Sequence, residues 1–262
     1  MTELYDSGLS YETLNTARSA LSCLCSKQDG YSVGSHPLVI RFLSGVHNLR
    51  PTKPKYQDTW DVSKVLCYLK KLTPVRDLTL KVLSYKLVML IVLTQASRSH
   101  SISLLSIDNY VKDSESYVLY YKGLLKQTRK GKVNPVLKLY RYAHDPDICV
   151  YETLTEYIKR TSSIRGNEKS LIISYIKPHK AVVSTSISRW IKVVMKDSGV
   201  DVEKFGAHSA RGAVTSKAKQ SGLPISEIMK IAGWSSSEIF ARFYDKPLEE
   251  SSSSSFQNST LQ

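Results

Sequence analysis

In the last fifth of the chain His208 stands three residues before Arg211, Gly233-Trp234 follow, and Tyr244 comes ten residues after the tryptophan. Side chains three apart on a helix share a face. His208 therefore offers a proton-handling group beside the Arg211 guanidinium, a permanently charged fork that suits a phosphate oxygen. Tyr244 adds a phenol able to act as a covalent nucleophile. Together these groups suit attack on a phosphodiester. A single histidine is more often structural, and a single tryptophan is more often core; here the neighbours turn them into a constellation. Tyr244 is one of 16 tyrosines, so its candidacy rests on position. No tyrosine lies between Tyr175 and Tyr244, and no other phenol is expected within reach of the motif.

Such groups need rigid elements to hold them. Leu14, Ala17, Leu21 and Leu24 recur at helical spacing within 10–27, and a second helix is predicted over His36–Leu49. Pro51 and Pro54 then break the pattern, marking 51–58 as a linker between a short helical region, 1–50, and a larger domain, 59–248. In that domain Asp61–Leu72 and Ser84–Ala96 read as helices, the second nearly all apolar and so central. Asn109–Tyr121 is rich in strand formers. A polar turn, Lys126–Lys132, leads into Pro135–Tyr140, which predicts a small antiparallel sheet with a basic hairpin tip. Helical patterns return over Val150–Ser162, Ser184–Ser198, Ser209–Gln220 and Pro224–Ala232. The stretch 249–262, with five consecutive serines, has little to bury and is expected to be disordered. The fold class is mainly α with a small antiparallel β-sheet.

A net charge of +14 favours a polyanionic partner, because neutralised phosphates release counterions, and DNA, RNA or an acidic membrane would all fit. The first 57 residues carry six cations against four carboxylates, so +12 of that charge lies beyond them. Arg50, Lys53 and Lys55 around the linker, and Arg129, Lys130 and Lys132 at the hairpin tip, are candidate contacts to the phosphates of such a partner, DNA among them. The longest apolar run, Leu87–Thr94, is far short of the roughly 20 residues that span a bilayer. The N-terminus lacks a basic-then-apolar pattern, and Cys23, Cys25, Cys67 and Cys149 show no paired spacing. Reduced core thiols in a nuclear or cytoplasmic protein are expected. The histidines are dispersed without a carboxylate cluster, so no metal site is predicted, and no phosphate-binding G-x-x-x-x-G-K motif calls for ATP.

H-x-x-R, then G-W, then Y in this order resembles the C-terminal signature of the tyrosine recombinases, the integrase family of site-specific DNA recombinases. The wording from HSARGAV to ARFYDKP is most similar to recombinases of eukaryotic mobile elements such as DIRS-like retroelements and Crypton transposons. The resemblance implies a tyrosine-recombinase catalytic fold preceded by a core-binding-like region, which with two helices would be minimal. It implies DNA cleavage and rejoining through a 3′-phosphotyrosyl bond without cofactor, metal or ATP, on double-stranded DNA, by a homo-oligomer that is a tetramer on two duplexes when active. Nuclear action is favoured by the mobile-element likeness.

By resemblance Arg98, in LTQASRSHSISLLSI, would grip the scissile phosphate, the alternative being an arginine that satisfies helix-end carbonyls. Lys126, at the end of the incoming strand, would protonate the leaving 5′ oxygen, though its basic neighbours offer the same charge. Arg211 would take the second non-bridging oxygen, His208 the phenolic proton, and Trp234 would donate an indole hydrogen bond while packing. The Trp234 to Tyr244 spacing is one residue longer than the family's nine. A type IB topoisomerase uses a similar set, but places Arg before His. A domesticated DNA-binding protein that keeps the fold without strand exchange is the alternative function.

Overall fold

The computed structural model of the chain describes residues 1–52, 54–126, 128, 131, 135–234, 238, 240–241 and 245–247. Lys53, Arg129, Lys130, Lys132, Tyr244 and the serine-rich stretch lie outside the described residues. Two compact units are present, Met1–Lys55 and Tyr56–Gln262.

In the smaller unit, α1 (Thr2–Asp6), α2 (Tyr11–Leu24) and α3 (Pro37–Leu49) surround a core of Leu14, Leu43 and Val46. Ser10 caps α2 by accepting from the Thr13 amide. The predicted second helix begins one residue late because His36 is its cap: Nδ1 accepts from the Leu38 amide at 3.3 Å, and Pro37 takes the first helical position. Arg50, expected at DNA, is engaged within this unit. Its guanidinium lies 3.8 Å from the Tyr5 ring centroid, and Nη1 donates to the carbonyls of Tyr5 and Leu9 at 2.9 and 3.0 Å. Lys55 is exposed.

The larger unit runs α4 (Val62–Lys71), α5 (Leu80–Gln95), α6 (Ser99–Ser103), β1 (Leu105–Lys112), β2 (Ser116–Tyr121), β3 (Leu137–Tyr140), α7 (Val150–Thr161), α8 (Ser184–Asp197), α9 (Ser209–Gln220) and α10 (Ile225–Ala232). Helix α5 is buried along most of its length and packs on α7, α8, α9 and β3, as its all-round apolar sequence requires. It starts a turn earlier than predicted, because Thr79 caps it through the Val82 amide.

The three strands pair antiparallel in the order β1-β2-β3. The predicted strand over Asn109–Tyr121 is instead the end of one strand and the whole of the next. Asp113 breaks it: Oδ1 accepts from the amides of Glu115 and Ser116 at 2.8 and 2.6 Å and closes a turn. The β1–β2 register slips between Ser106 and Val111, around Asn109 at φ 55°. Sheet and helices join where the Tyr117 hydroxyl meets Thr155 Oγ1 at 2.9 Å on α7.

The cysteines correct one expectation. Only Cys149 is buried; Cys23 and Cys25 at the end of α2, and Cys67 on α4, are exposed.

Candidate active site

Arg98 reaches the site through an abrupt end to α5. Ala96 takes the left-handed conformation at φ 45°, which costs a non-glycine residue roughly 1–2 kcal/mol and turns the chain out of the helix. Arg98 then occupies the N-cap position of α6, half-buried. Gln95 Nε2 donates to the Lys138 carbonyl at 3.1 Å, pinning the same corner to β3.

His208 and Arg211 both stand at the start of α9. His208 is its N-cap residue and is exposed, whereas Arg211 is only 3% exposed. Arg211 Nη2 donates to the Ala232 carbonyl at the end of α10, and its guanidinium carbon lies 4.6 Å from the Trp234 ring. Trp234 is delivered there by a helix-ending motif. Gly233 adopts φ 65°, its amide donates to the Lys230 carbonyl, and the Trp234 amide donates to the Met229 carbonyl at 3.0 Å. Glycine is needed at the first of the two positions for its φ, and the second is thereby aimed back at α9. The indole also packs on Phe240, ring centroids 5.5 Å apart.

Arg98 and Arg211 line one cleft of about 720 Å³, walled by the end of α5, strand β3 and helix α10. Lys126 is exposed next to Leu125, which lines that cleft. A turn holds the pair, with the Thr128 amide donating to the Leu125 carbonyl at 2.9 Å and the Leu125 amide to Thr128 Oγ1 at 3.0 Å.

The residues after Tyr244 are fastened to α9 and to the segment that precedes α4. Asp245 pairs with Lys219, the Lys246 amide donates to Ser216 Oγ at 3.1 Å, and the Pro247 carbonyl accepts from the Thr59 amide at 2.8 Å.

Two phenols were not anticipated. Tyr121 and Tyr140 line the same cleft as the arginines, so the expectation that only Tyr244 could reach the motif does not hold. Burial pushes the Tyr121 phenol up to about 12, keeping it protonated and a poor nucleophile near neutral pH. Glu227 and Lys230 of α10 also line the cleft, a turn apart on one face, as their spacing would have indicated once α10 was known to face it. Among the described residues no group of three or more His, Cys, Asp or Glu side chains could hold a metal ion, and no helix is long and apolar enough to cross a membrane.

Among solved structures the chain is similar to the XerH site-specific recombinase bound to its difH substrate in a pre-cleavage complex, at TM-score 0.58 and 17% identity over 92% of this chain and 64% of that one. It is similar to the Tn1549 transposon integrase in complex with transposon right-end DNA, at 0.58 and 14% over 99% of this chain and 81% of that one. The XerA recombinase matches at 0.53 and 15%, over 97% and 83%. At these identities the likeness is one of fold, and the chain spans less than two thirds of XerH. No curated protein sequence matches the chain. The family model described as the phage integrase family matches residues 69–250, well over half of the chain and nearly the whole of the larger unit described above. By that match, and by the fold it shares with integrases and recombinases, the chain belongs to the phage integrase family.

Proposed function

We propose that this protein cleaves and rejoins double-stranded DNA by transesterification, with Tyr244 as nucleophile. The single observation that carries the reading is that Arg98 and Arg211, 113 positions apart in sequence, line one cleft, as two guanidinium groups must to hold two non-bridging oxygens of one phosphate. The Tyr244 oxygen attacks phosphorus, His208 accepts the phenolic proton, the bond from phosphorus to the 5′ oxygen breaks, and Lys126 supplies the proton that oxygen needs. A 3′-phosphotyrosyl bond keeps the energy of the phosphodiester, so attack by a 5′-hydroxyl restores the strand without ATP. Charge stabilisation comes from the arginines and asks nothing of a metal or cofactor. Trp234 serves chiefly as the platform under Arg211.

The partner is duplex DNA, and the active form is a homo-oligomer, a tetramer on two duplexes. The finer placement beside DIRS-like and Crypton recombinases, and with it action in the nucleus, rests on the wording of the segment from His208 to Pro247. The test is strand transfer on nicked duplexes carrying sequences from the ends of the element that encodes the protein. Joined products in chelator support recombination. Tight binding with neither covalent adduct nor product favours a DNA-binding protein that keeps only the fold.

A further inference from the structure

Four of the five residues that open the larger unit touch the segments flanking the candidate site. The Tyr56 hydroxyl accepts from the Gly206 amide at 3.1 Å, and its ring packs on buried Phe205 with centroids 5.4 Å apart. Asp58 pairs with Lys204 at 2.8 Å. The Thr59 amide donates to the Pro247 carbonyl at 2.8 Å, three residues past Tyr244. Trp60 Nε1 donates to Ser209 Oγ at 2.9 Å, between His208 and Arg211. Trp60 and Ser209 are 1% and 7% exposed, so their bond is shielded from competing water, whereas the Thr59 bond joins a buried residue to exposed Pro247.

We infer that residues 56–60 are a positioning strap: they hold the His208–Arg211 helix start and the segment following Tyr244 in one register, with Trp60 as the principal positioning residue. Consecutive residues are joined by a planar peptide with only two soft dihedrals each, so Trp60 cannot shift without carrying Thr59 with it. Anything that moves the start of α9 therefore moves the anchor of Pro247. These residues act through the segments they hold, so their effect is on alignment, where small misplacements cost large factors in rate.

The consequence for rate rests on the proposed strand cleavage, whereas the strap itself can be read without it. Amide hydrogen exchange would be measured on the full chain with Trp60→Phe, which removes the indole donor together with part of a buried ring, and with Ser209→Ala, which breaks the same bond from the other side and leaves the indole in place. Loss of one buried hydrogen bond should speed exchange roughly fivefold to tenfold both over 206–211 and at the Thr59 amide, the donor to the Pro247 carbonyl. Faster exchange confined to 206–211, or none, would overturn the strap. Single-turnover cleavage of a nicked duplex should slow by a similar factor at saturating DNA while affinity stays within about twofold. Loosening of both segments with unchanged cleavage would overturn the positioning role. If the unmodified protein forms no adduct, the functional reading fails, and the exchange data still decide the strap.

Discussion

The Arg211 guanidinium lies against the Trp234 indole, 4.6 Å from guanidinium carbon to ring, with Nη2 donating to the carbonyl of Ala232 two residues before the tryptophan. One end of α10 thus orients the arginine twice, by a backbone oxygen and by an aromatic face. Trp234→Phe should keep the platform and lower cleavage by no more than threefold, while Trp234→Ala should lower it by up to ~30-fold, the rate equivalent of a desolvated cation–π contact of about 2 kcal/mol. Single-turnover kinetics on both variants checks this. Equal losses would make the indole N–H, rather than the ring, the working part.

The two arginines should separate in stability although not in chemistry. Lysine at either position loses the planar fork, and cleavage should fall by about 10²–10³-fold, as when one preorganised donor is removed. Arg211→Lys should also unfold earlier, because the buried Ala232 carbonyl loses its partner at a cost of about 1–3 kcal/mol, or roughly 2–10 °C in Tm. Arg98→Lys, at a half-buried position, should melt within about 2 °C of the unmodified protein. Thermal melts beside cleavage assays read both.

Tyr121 and Tyr140 line the cleft, yet neither is assigned the attack. With the Tyr121 phenol raised to about 12 by burial, Tyr121→Phe should leave the rate of adduct formation within about threefold between pH 7 and 9. Tyr140→Phe should do the same. An abolished adduct in either would move the nucleophile from Tyr244.

Glu168 sets part of the acid limb of stability. Hydrogen bonds from the Ser170 hydroxyl and amide at 2.6 and 2.8 Å, with Lys122 nearby, hold its carboxyl down to about 2. A depressed carboxylate stabilises the fold above its unfolded value, about 4.3, and that contribution disappears as pH falls through 4.3 toward 2. Glu168→Gln should therefore melt below the unmodified protein at pH 7, with the gap closing as pH falls below about 4.3. Melting curves from pH 7 to pH 2 test it.

Much of the larger unit was legible because its signals are local. Buried α5 follows from an unbroken apolar run, and α9 was placed from Ser209 to Gln220 as found. Gly233-Trp234 could be read as a unit because a helix-ending glycine fixes where the next side chain goes. What escaped is long-range or depends on one side chain. Asp113 turns a run of strand formers into a hairpin, and Arg50 is engaged by carbonyls 41 and 45 positions away. Tyr121 and Tyr140 enter the cleft only once β3 lies beside the end of α5, and the Trp60 to Ser209 bond spans 149 positions. No periodicity encodes these contacts. The exposure of Cys23, Cys25 and Cys67 is hidden from the sequence for the same reason, since it depends on which helix face the core leaves open.

The most direct test of the central claim is covalent trapping in EDTA: nicked duplex DNA is incubated with the protein and with Tyr244→Phe, the adduct is resolved on a denaturing gel, and the modified peptide is identified by mass spectrometry. The account predicts a chelator-resistant adduct at Tyr244 that is lost in the phenylalanine variant. An adduct that persists in Tyr244→Phe, or one that forms only with added divalent metal, would contradict it.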